Sequence, residues 1–143
     1  MILRLTKQFG FEMAHTLPQY DGKCRNIHGH SYKLEVTVEY DKTIEEDDHE
    51  ATPKDGLVLD FHQLKQIVEK AIIEPFDHSM LLPIDSPITI EGPTKLIRTP
   101  FQPTTENLLL HFYKLLKDKF PQQVKLYSLR LAETESSYAE LVI

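Results

Sequence analysis

The chain has 143 residues, of which 41% are hydrophobic and 27% charged, and its formal net charge is −6 at pH 7. This acidic balance argues against nonspecific binding to nucleic acid, which needs a basic surface. The length favours one domain spanning residues 1–143. The one cysteine excludes an intrachain disulfide framework and fits a reducing compartment. With no signal-peptide block and no run that could span a membrane, we expect a soluble, cytoplasmic protein.

Two strands are predicted in the first forty residues from alternating apolar and polar side chains. The odd positions of Leu3–Met13 are mostly apolar, and His15 continues their face. Residues Pro18–Gly29 contain an Asp-Gly pair and indicate a loop. Alternation returns in Tyr32–Tyr40, where the even positions are apolar. A pair of half-buried strands joined by a long loop is therefore expected.

The middle of the chain predicts an acidic loop followed by a helix. Residues Asp41–Asp55 are rich in acidic side chains and show no helical or strand periodicity. Asp60 is a typical N-cap, with Gln63 three positions later as in a capping box. The helix should end before Pro75, which cannot continue the hydrogen-bond pattern. Its apolar stripe consists of Phe61, Leu64, Ile67, Val68, Ala71 and Ile72.

The last third of the chain predicts an irregular connection, a second helix and a strand pair. The proline-rich stretch Leu81–Pro103 should be irregular, with a short strand at Lys95–Arg98. An apolar helical face begins at Thr104 or Thr105 and ends near Phe120. Strand-like alternation follows in Tyr127, Leu129, Leu131 and Glu133, and again in Tyr138–Ile143. These elements predict an α+β fold: a four-stranded antiparallel sheet with two helices packed on one face.

His15, His28 and His30 are the strongest candidates for a metal site. Histidines at i and i+2 on a strand project from the same face, so both can reach one ion. All three share the parity of the apolar faces of their strands. Catalytic zinc typically takes three protein ligands and keeps one position open. The alternative is that these are core histidines whose nitrogens are satisfied by ordinary hydrogen bonds.

Cys24 lies in the loop just before the paired histidines, between Lys23 and Arg25. Positive charge or a nearby metal lowers the pKa of a thiol, which would make this residue a nucleophile or base. A lone cysteine is more often an inert small apolar side chain. Its proximity to a metal site would favour the functional interpretation.

Four more side chains are weaker candidates. Asp77 and His78 follow the predicted helix break, and together they can move protons or simply form a turn. Glu133 shares its face with apolar residues, and a buried carboxylate needs a partner, either a protein cation or a ligand with paired N–H donors. Glu106 in PTTENL can favour the positive end of its helix and need do no more. We assign no function to His49, His62 or His111.

The ordered set of these motifs resembles the family of 6-pyruvoyl-tetrahydropterin and 6-carboxytetrahydropterin synthases. The resemblance covers roughly Leu5 to Leu141. The matching pieces are FEMAH (His15), CRNIHGHSY (Cys24, His28, His30), GLVLDF (Asp60), FDHSML (Asp77, His78), PTTENL (Glu106) and LAET (Glu133).

The resemblance implies a tunnelling fold, in which subunits assemble into a closed barrel, commonly a homohexamer of two trimers. It implies Zn²⁺ on His15, His28 and His30, and active sites that form between subunits. The implied substrate is 7,8-dihydroneopterin triphosphate, with Glu133 anchoring the pterin and Glu106 supporting it. Cys24, Asp77 and His78 would then be the catalytic proton carriers.

The spacing of three residues between Cys24 and the His-Gly-His sequence is similar to the carboxy-forming enzymes of queuosine biosynthesis. The pyruvoyl-forming enzymes have a longer gap, and folate-linked variants carry Glu in place of this cysteine. The alternatives are a pyruvoyl-forming enzyme on the same scaffold, a zinc- and pterin-binding protein without turnover, and a structural domain with packed histidines.

Overall fold

The computed structural model describes residues 1–45 and 56–143. Most of the predicted acidic loop therefore lies outside the described residues. Within them the elements are, in chain order, β1 (Arg4–His15), a 3-10 turn (Lys23–Arg25), β2 (His28–Tyr40), α1 (Phe61–Val68), a π-helical stretch (Glu69–Ile73), α2 (Glu74–Phe76), β3 (Ser79–Pro83), β4 (Leu96–Thr99), α3 (Thr105–Leu116), β5 (Val124–Ala132) and β6 (Tyr138–Val142).

The strands of the described residues form one mixed sheet in the order β4-β3-β1-β2-β5-β6. The four predicted strands are present, and each is antiparallel to its neighbours among them. The short strand predicted at Lys95–Arg98 is present as β4, but the predicted sheet of four strands was wrong. The unpredicted β3 pairs with β1 and carries β4, so the sheet has six strands, and both additions run parallel to β1. All five residues of β3 are buried, so its sequence has no polar alternation that would mark it as a strand.

The helices cover one face of this sheet, and the core lies between them. On β2 the residues Tyr32, Leu34, Val36, Val38 and Tyr40 are all buried. The helices contribute Leu64, Val68, Ile72, Leu108, Leu109, Phe112 and Leu116. The opposite face is polar and carries cross-strand pairs such as Arg4 with Glu39 and Gln8 with Glu35. None of the described helices is long and apolar enough to span a membrane.

A β-bulge interrupts the alternation of β5. The pairing shifts between Thr37 and Val38, so that Tyr127 has no partner residue on β2. The prediction that Tyr127 shares a face with Leu129 is therefore wrong. Its ring lies 3.4 Å from the guanidinium carbon of Arg4, a residue of the polar face. Beyond the bulge, Leu129 and Leu131 are buried beneath the helices.

The first helical body continues through Pro75, where the sequence predicted an end. The stretch Glu69–Ile73 is π-helical, and Pro75 lies in the first turn of α2. A π turn widens the hydrogen-bond pattern just before the proline, so the missing N–H and the ring are accommodated. The body ends at Asp77, whose N–H donates to the Ile73 carbonyl at 2.8 Å. Asp60 caps the start of α1 as predicted, accepting from the His62 N–H at 2.7 Å.

Candidate functional site

Three histidines from two neighbouring strands meet at one end of the covered face. Antiparallel pairing places His15 directly opposite His28 and Met13 opposite His30. Each histidine offers one nitrogen atom, and the three atoms all lie within 4.8 Å of one another. His15 is almost fully buried, while His28 and His30 are half-buried. The three residues predicted from parity therefore form one cluster that can hold a metal ion.

Hydrogen bonds to backbone carbonyls orient two of these rings. The Nδ1 of His15 lies 2.8 Å from the Pro103 carbonyl, and the Nδ1 of His28 lies 2.8 Å from the Asn26 carbonyl. A carbonyl only accepts, so in both rings Nδ1 carries the proton and the neutral ring has a free lone pair at Nε2. The two Nε2 atoms face each other at 3.1 Å. Two lone pairs at that distance repel unless a cation or a proton lies between them.

Burial favours the neutral, metal-binding form of His15 and His30. Burial is the main cause that lowers the pKa of both His15 and His30, and neighbouring imidazoles lower both further. The charge of Glu133 acts in the opposite direction without reversing the shift. The Nε2 of His30 is buried and has no hydrogen-bond partner within the described part of the chain. Neutral imidazoles with carbonyl partners on the far nitrogen are the usual zinc donors, so the site fits a metal.

The loop that contains Cys24 is tied to the end of β1, the strand that carries His15. It is the central residue of the 3-10 turn, and its carbonyl accepts from the Leu17 N–H at 2.9 Å. The Thr16 hydroxyl donates to the Arg25 carbonyl at 2.6 Å, which ties the other side of the turn to the end of β1. The Cys24 thiol is half-buried.

Tyr32 lies beneath the histidines, and both Glu133 and Cys24 act on it. Its ring contacts both His15 and His30 edge-on, at centroid distances of 6.1 and 5.4 Å. Burial raises the pKa of Tyr32, and the charges of Glu133 and Cys24 raise it further. These electrostatic effects place the thiol and the carboxylate in the neighbourhood of the phenol, and the carboxylate also acts on His15 and His30.

Glu133 follows the end of β5 and is held by a hydrogen bond that the sequence did not predict. The Thr105 hydroxyl donates to Glu133 Oε1 at 2.5 Å. Glu106, the predicted supporting residue, is exposed on the first turn of α3. The segment PTTENL indicated a helix start, and a threonine there is ordinarily a cap, so no signal distinguished Thr105.

Asp77 and His78 form a dyad outside the histidine cluster. His78 Nδ1 lies 2.9 Å from Asp77 Oδ2, and Asp77 Oδ1 accepts from the Glu12 N–H at 2.8 Å. The hydrogen bond from Glu12, followed by that from His78, lowers the pKa of Asp77. Within the described residues, 1–45 and 56–143, no hydrogen bond or ring contact joins the dyad to the three clustered histidines. A cavity of about 490 Å³ borders both His78 and His30.

Comparison with known proteins gives a consistent result along the whole chain. The family model described as 6-pyruvoyl tetrahydropterin synthase matches residues 4–142. A Haemophilus influenzae protein named 6-carboxy-5,6,7,8-tetrahydropterin synthase is 34% identical over 146 residues, covering 97% of this chain and 98% of the relative. An Aquifex aeolicus protein of the same name is 36% identical over 131 residues, covering 82% and 75%.

Solved structures share the fold at lower identity. An uncharacterized protein from Wolinella succinogenes superposes with a TM-score of 0.78 at 22% identity, covering 99% of this chain and 98% of that one. The 6-pyruvoyl tetrahydropterin synthase of Caenorhabditis elegans gives a TM-score of 0.70 at 22% identity, covering 100% and 96%. These likenesses confirm the expected fold of two helical bodies against a sheet.

Proposed function

The chain belongs to the 6-pyruvoyl tetrahydropterin synthase family and is a lyase, and we propose its reaction from that premise. The proposed reaction converts 7,8-dihydroneopterin triphosphate to 6-carboxy-5,6,7,8-tetrahydropterin and releases triphosphate and acetaldehyde, in queuosine or 7-deazapurine biosynthesis. The observation that carries the proposal is the cluster of three histidines above Tyr32, a residue on which both the Glu133 carboxylate and Cys24 act. The names of the relatives at 31–36% identity agree with it.

Zinc is the metal we propose for the cluster of His15, His28 and His30. When bound, it supplies Lewis acidity toward the side-chain oxygens of the substrate and makes the adjacent C–H more acidic. The chain itself orients two of the rings through carbonyl partners, and it leaves the buried Nε2 of His30 without a partner among the described residues. These ligands enter the reaction already oriented, which reduces the reorganisation required when charge develops.

Glu133 is the proposed anchor of the pterin ring. A carboxylate accepts two parallel N–H bonds, and a pterin offers such a pair on its pyrimidine edge. Glu133 lies close enough to His15, His30 and Tyr32 for its charge to act on all three. A ring bound there would place its substituent toward the histidines. Glu106 remains a proposed supporting contact at the edge of the same segment.

Cys24 and the Asp77–His78 dyad are the proposed proton carriers. The Cys24 thiolate would remove the proton from the substrate carbon, since it acts on Tyr32 beneath the cluster and is half-buried. His78 is exposed and Asp77 half-buried, and neither is joined to the histidine cluster by a hydrogen bond or ring contact within the described part of the chain. We therefore propose that the dyad serves a site shared with a neighbouring subunit, in a homohexamer of two trimers.

The pyruvoyl-forming reaction on the same scaffold is the second candidate. The family model and several structures of the same fold carry that name, but those structures are only 19–22% identical to the chain. The three-residue gap between Cys24 and the histidine pair favours the carboxy-forming reaction. A functional free thiol also fits the reducing cytoplasm, where we place this single-domain enzyme.

Incubation of the zinc-loaded protein with 7,8-dihydroneopterin triphosphate tests the proposal directly. Mass spectrometry should identify the 6-carboxy product, and a dehydrogenase assay should detect an equal amount of acetaldehyde. A 6-pyruvoyl product without acetaldehyde would show the second candidate to be correct. Recovery of bound but chemically unchanged pterin would indicate a pterin-binding protein without turnover.

A further inference from the structure

Thr105 makes the shortest hydrogen bond to a candidate site residue. Its hydroxyl donates to Glu133 Oε1 at 2.5 Å, and its side chain is only 8% exposed. A bond from a neutral donor to a carboxylate is among the stronger hydrogen bonds in proteins. The two residues lie 28 positions apart, one in the first turn of α3 and one after β5. The contact is therefore tertiary and locks the carboxylate to the helix.

The neighbours of Thr105 show how specific this role is. The Pro103 carbonyl accepts from His15 Nδ1, so it orients a predicted metal ligand. The Thr104 hydroxyl accepts from the Asn107 N–H and caps α3. Pro103 thus orients the His15 ring, Thr104 caps α3 and Thr105 holds Glu133. The two threonines have the same side chain but different partners, so each serves as a control for the other.

We propose that Thr105 is a positioning residue that fixes Glu133 for pterin recognition. This inference rests on the proposed function, in which Glu133 binds the paired N–H groups of the ring. A glutamate has three rotatable side-chain bonds, and holding it in one orientation costs conformational entropy. Thr105 occupies one lone pair of Oε1 and leaves the other, with all of Oε2, for the ligand. The carboxylate is then oriented before the pterin binds.

Threonine suits this task better than a longer donor. Its β-branched side chain is restricted mainly to two χ1 rotamers in a helix, so its hydroxyl has few alternative directions. The residue is buried, with 8% of its surface exposed. Thr105→Val keeps this shape and removes only the donor, while Thr105→Ser keeps the donor and loses the methyl group.

Binding of neopterin, a fluorescent and unreactive pterin, measures the effect. Fluorescence titration should show a dissociation constant about tenfold higher for Thr105→Val than for the wild type, since a bond to a charged group is lost. With dihydroneopterin triphosphate the same variant should raise KM much more than it lowers kcat. Thr105→Ser should restore most of the affinity, and zinc content should stay at the wild-type value in both variants.

Thr104→Ala is the matched control. It should lower the unfolding temperature through loss of the cap and leave the neopterin dissociation constant unchanged. Equal affinity of Thr105→Val and the wild type would overturn the inference, as would failure of Thr105→Ser to restore binding. A wild-type protein that neither binds neopterin nor turns over the triphosphate would overturn the proposed function, and this inference with it.

Discussion

The histidine cluster and the Asp77–His78 dyad are built in opposite ways. His15 is 1% exposed, and its ring is held by a backbone carbonyl on the far nitrogen. The side chain of His78 is 77% exposed, and its Nδ1 contacts the adjacent Asp77. His15 and His28 each have a carbonyl partner at Nδ1, which leaves the other ring nitrogen directed at the cluster. A group that must exchange protons needs contact with solvent or with a second chain.

The backbone differs between these regions as well. The cluster lies on regular antiparallel strands, where pairing alone sets which side chains meet. His78 has a φ of 57°, which is unusual for a residue other than glycine. Its N–H donates to the Glu12 carbonyl at 2.6 Å, and Lys95 holds the Asp77 carbonyl at 2.9 Å. Regular structure positions the cluster, whereas individual hydrogen bonds position the dyad.

The largest expected effect is the loss of metal from the buried region. His28→Ala removes one of three nitrogen donors, so zinc affinity should fall by more than about 100-fold, the upper range for loss of an outer partner. Zinc content after gel filtration, measured by mass spectrometry, checks this. His62→Ala is the control, because His62 is exposed in the first turn of α1. A His28→Ala protein with full zinc would show that the cluster is not the metal site.

Loss of the thiol should separate catalysis from metal binding. Cys24→Ala should lower turnover by about 10²–10⁴-fold, the usual contribution of a positioned acid or base. Its zinc content should equal that of the wild type, because the thiol is not needed as a ligand. Since the chain has one cysteine, alkylation with iodoacetamide should reproduce the variant in the wild-type protein. Full activity in Cys24→Ala would rule out the proposed base.

Mixed assemblies test whether the two regions cooperate across a subunit boundary. Coexpression of His28→Ala chains with Asp77→Asn chains should restore about a quarter of wild-type activity, since a shared site then sometimes receives one intact region from each chain. Each variant alone should be nearly inactive. If both regions of one chain serve the same site, the mixture should be as inactive as its components.

The smallest expected effect is a change in the pH dependence of the unfolding free energy when Asp77 is replaced. The folded protein lowers the pKa of Asp77, so its ionised form contributes stability above about pH 3.9, the ordinary value. That contribution is lost as the pH falls through the lower folded value. Because Asp77 is largely solvated, Asp77→Asn should reduce unfolding free energy at pH 7 by less than about 1 kcal/mol.

The control for this measurement is Asp85→Asn in the exposed loop after β3. Urea titrations between pH 7 and pH 2.5 should show the Asp77→Asn difference vanish at low pH, while the Asp85→Asn difference stays near zero. A difference for Asp77→Asn that grows as the pH falls would contradict the assigned direction.

Strict alternation of apolar and polar residues along the strands made much of the fold predictable. The strands bearing His15 and the His28–His30 pair were identified because each has one apolar and one polar face. The same parity predicted that three histidines would meet, which the structure confirms. Their roles as zinc ligands, like those of Cys24, Asp77, His78, Glu106 and Glu133, stay predictions. Asp60 was recognisable as a cap because its side chain and position are both diagnostic.

Tertiary effects account for what the sequence did not predict. Ser79–Pro83 is buried throughout, so nothing in its pattern distinguishes a central strand from a connection. Pro75 indicated a helix end, but a π turn lets the helix pass it. The hydroxyl of Thr105 looked like that of its neighbour, and only the packing of α3 against the end of β5 reveals its partner.

The bulge at Tyr127 shifts by one residue the positions of β5 that face the helices. Before it, the even-numbered Val124 and Leu126 face inward; after it, the odd-numbered Leu129, Leu131 and Glu133 lie on the covered side. Because Leu126 and Ser128 pair with the adjacent residues Val38 and Thr37, deleting Tyr127 should make the pairing continuous and leave Glu133 facing Thr105. Strands of equal length in related proteins therefore need not carry equivalent side chains into the site. An alignment that omits this one-residue insertion would assign the anchor to the wrong face.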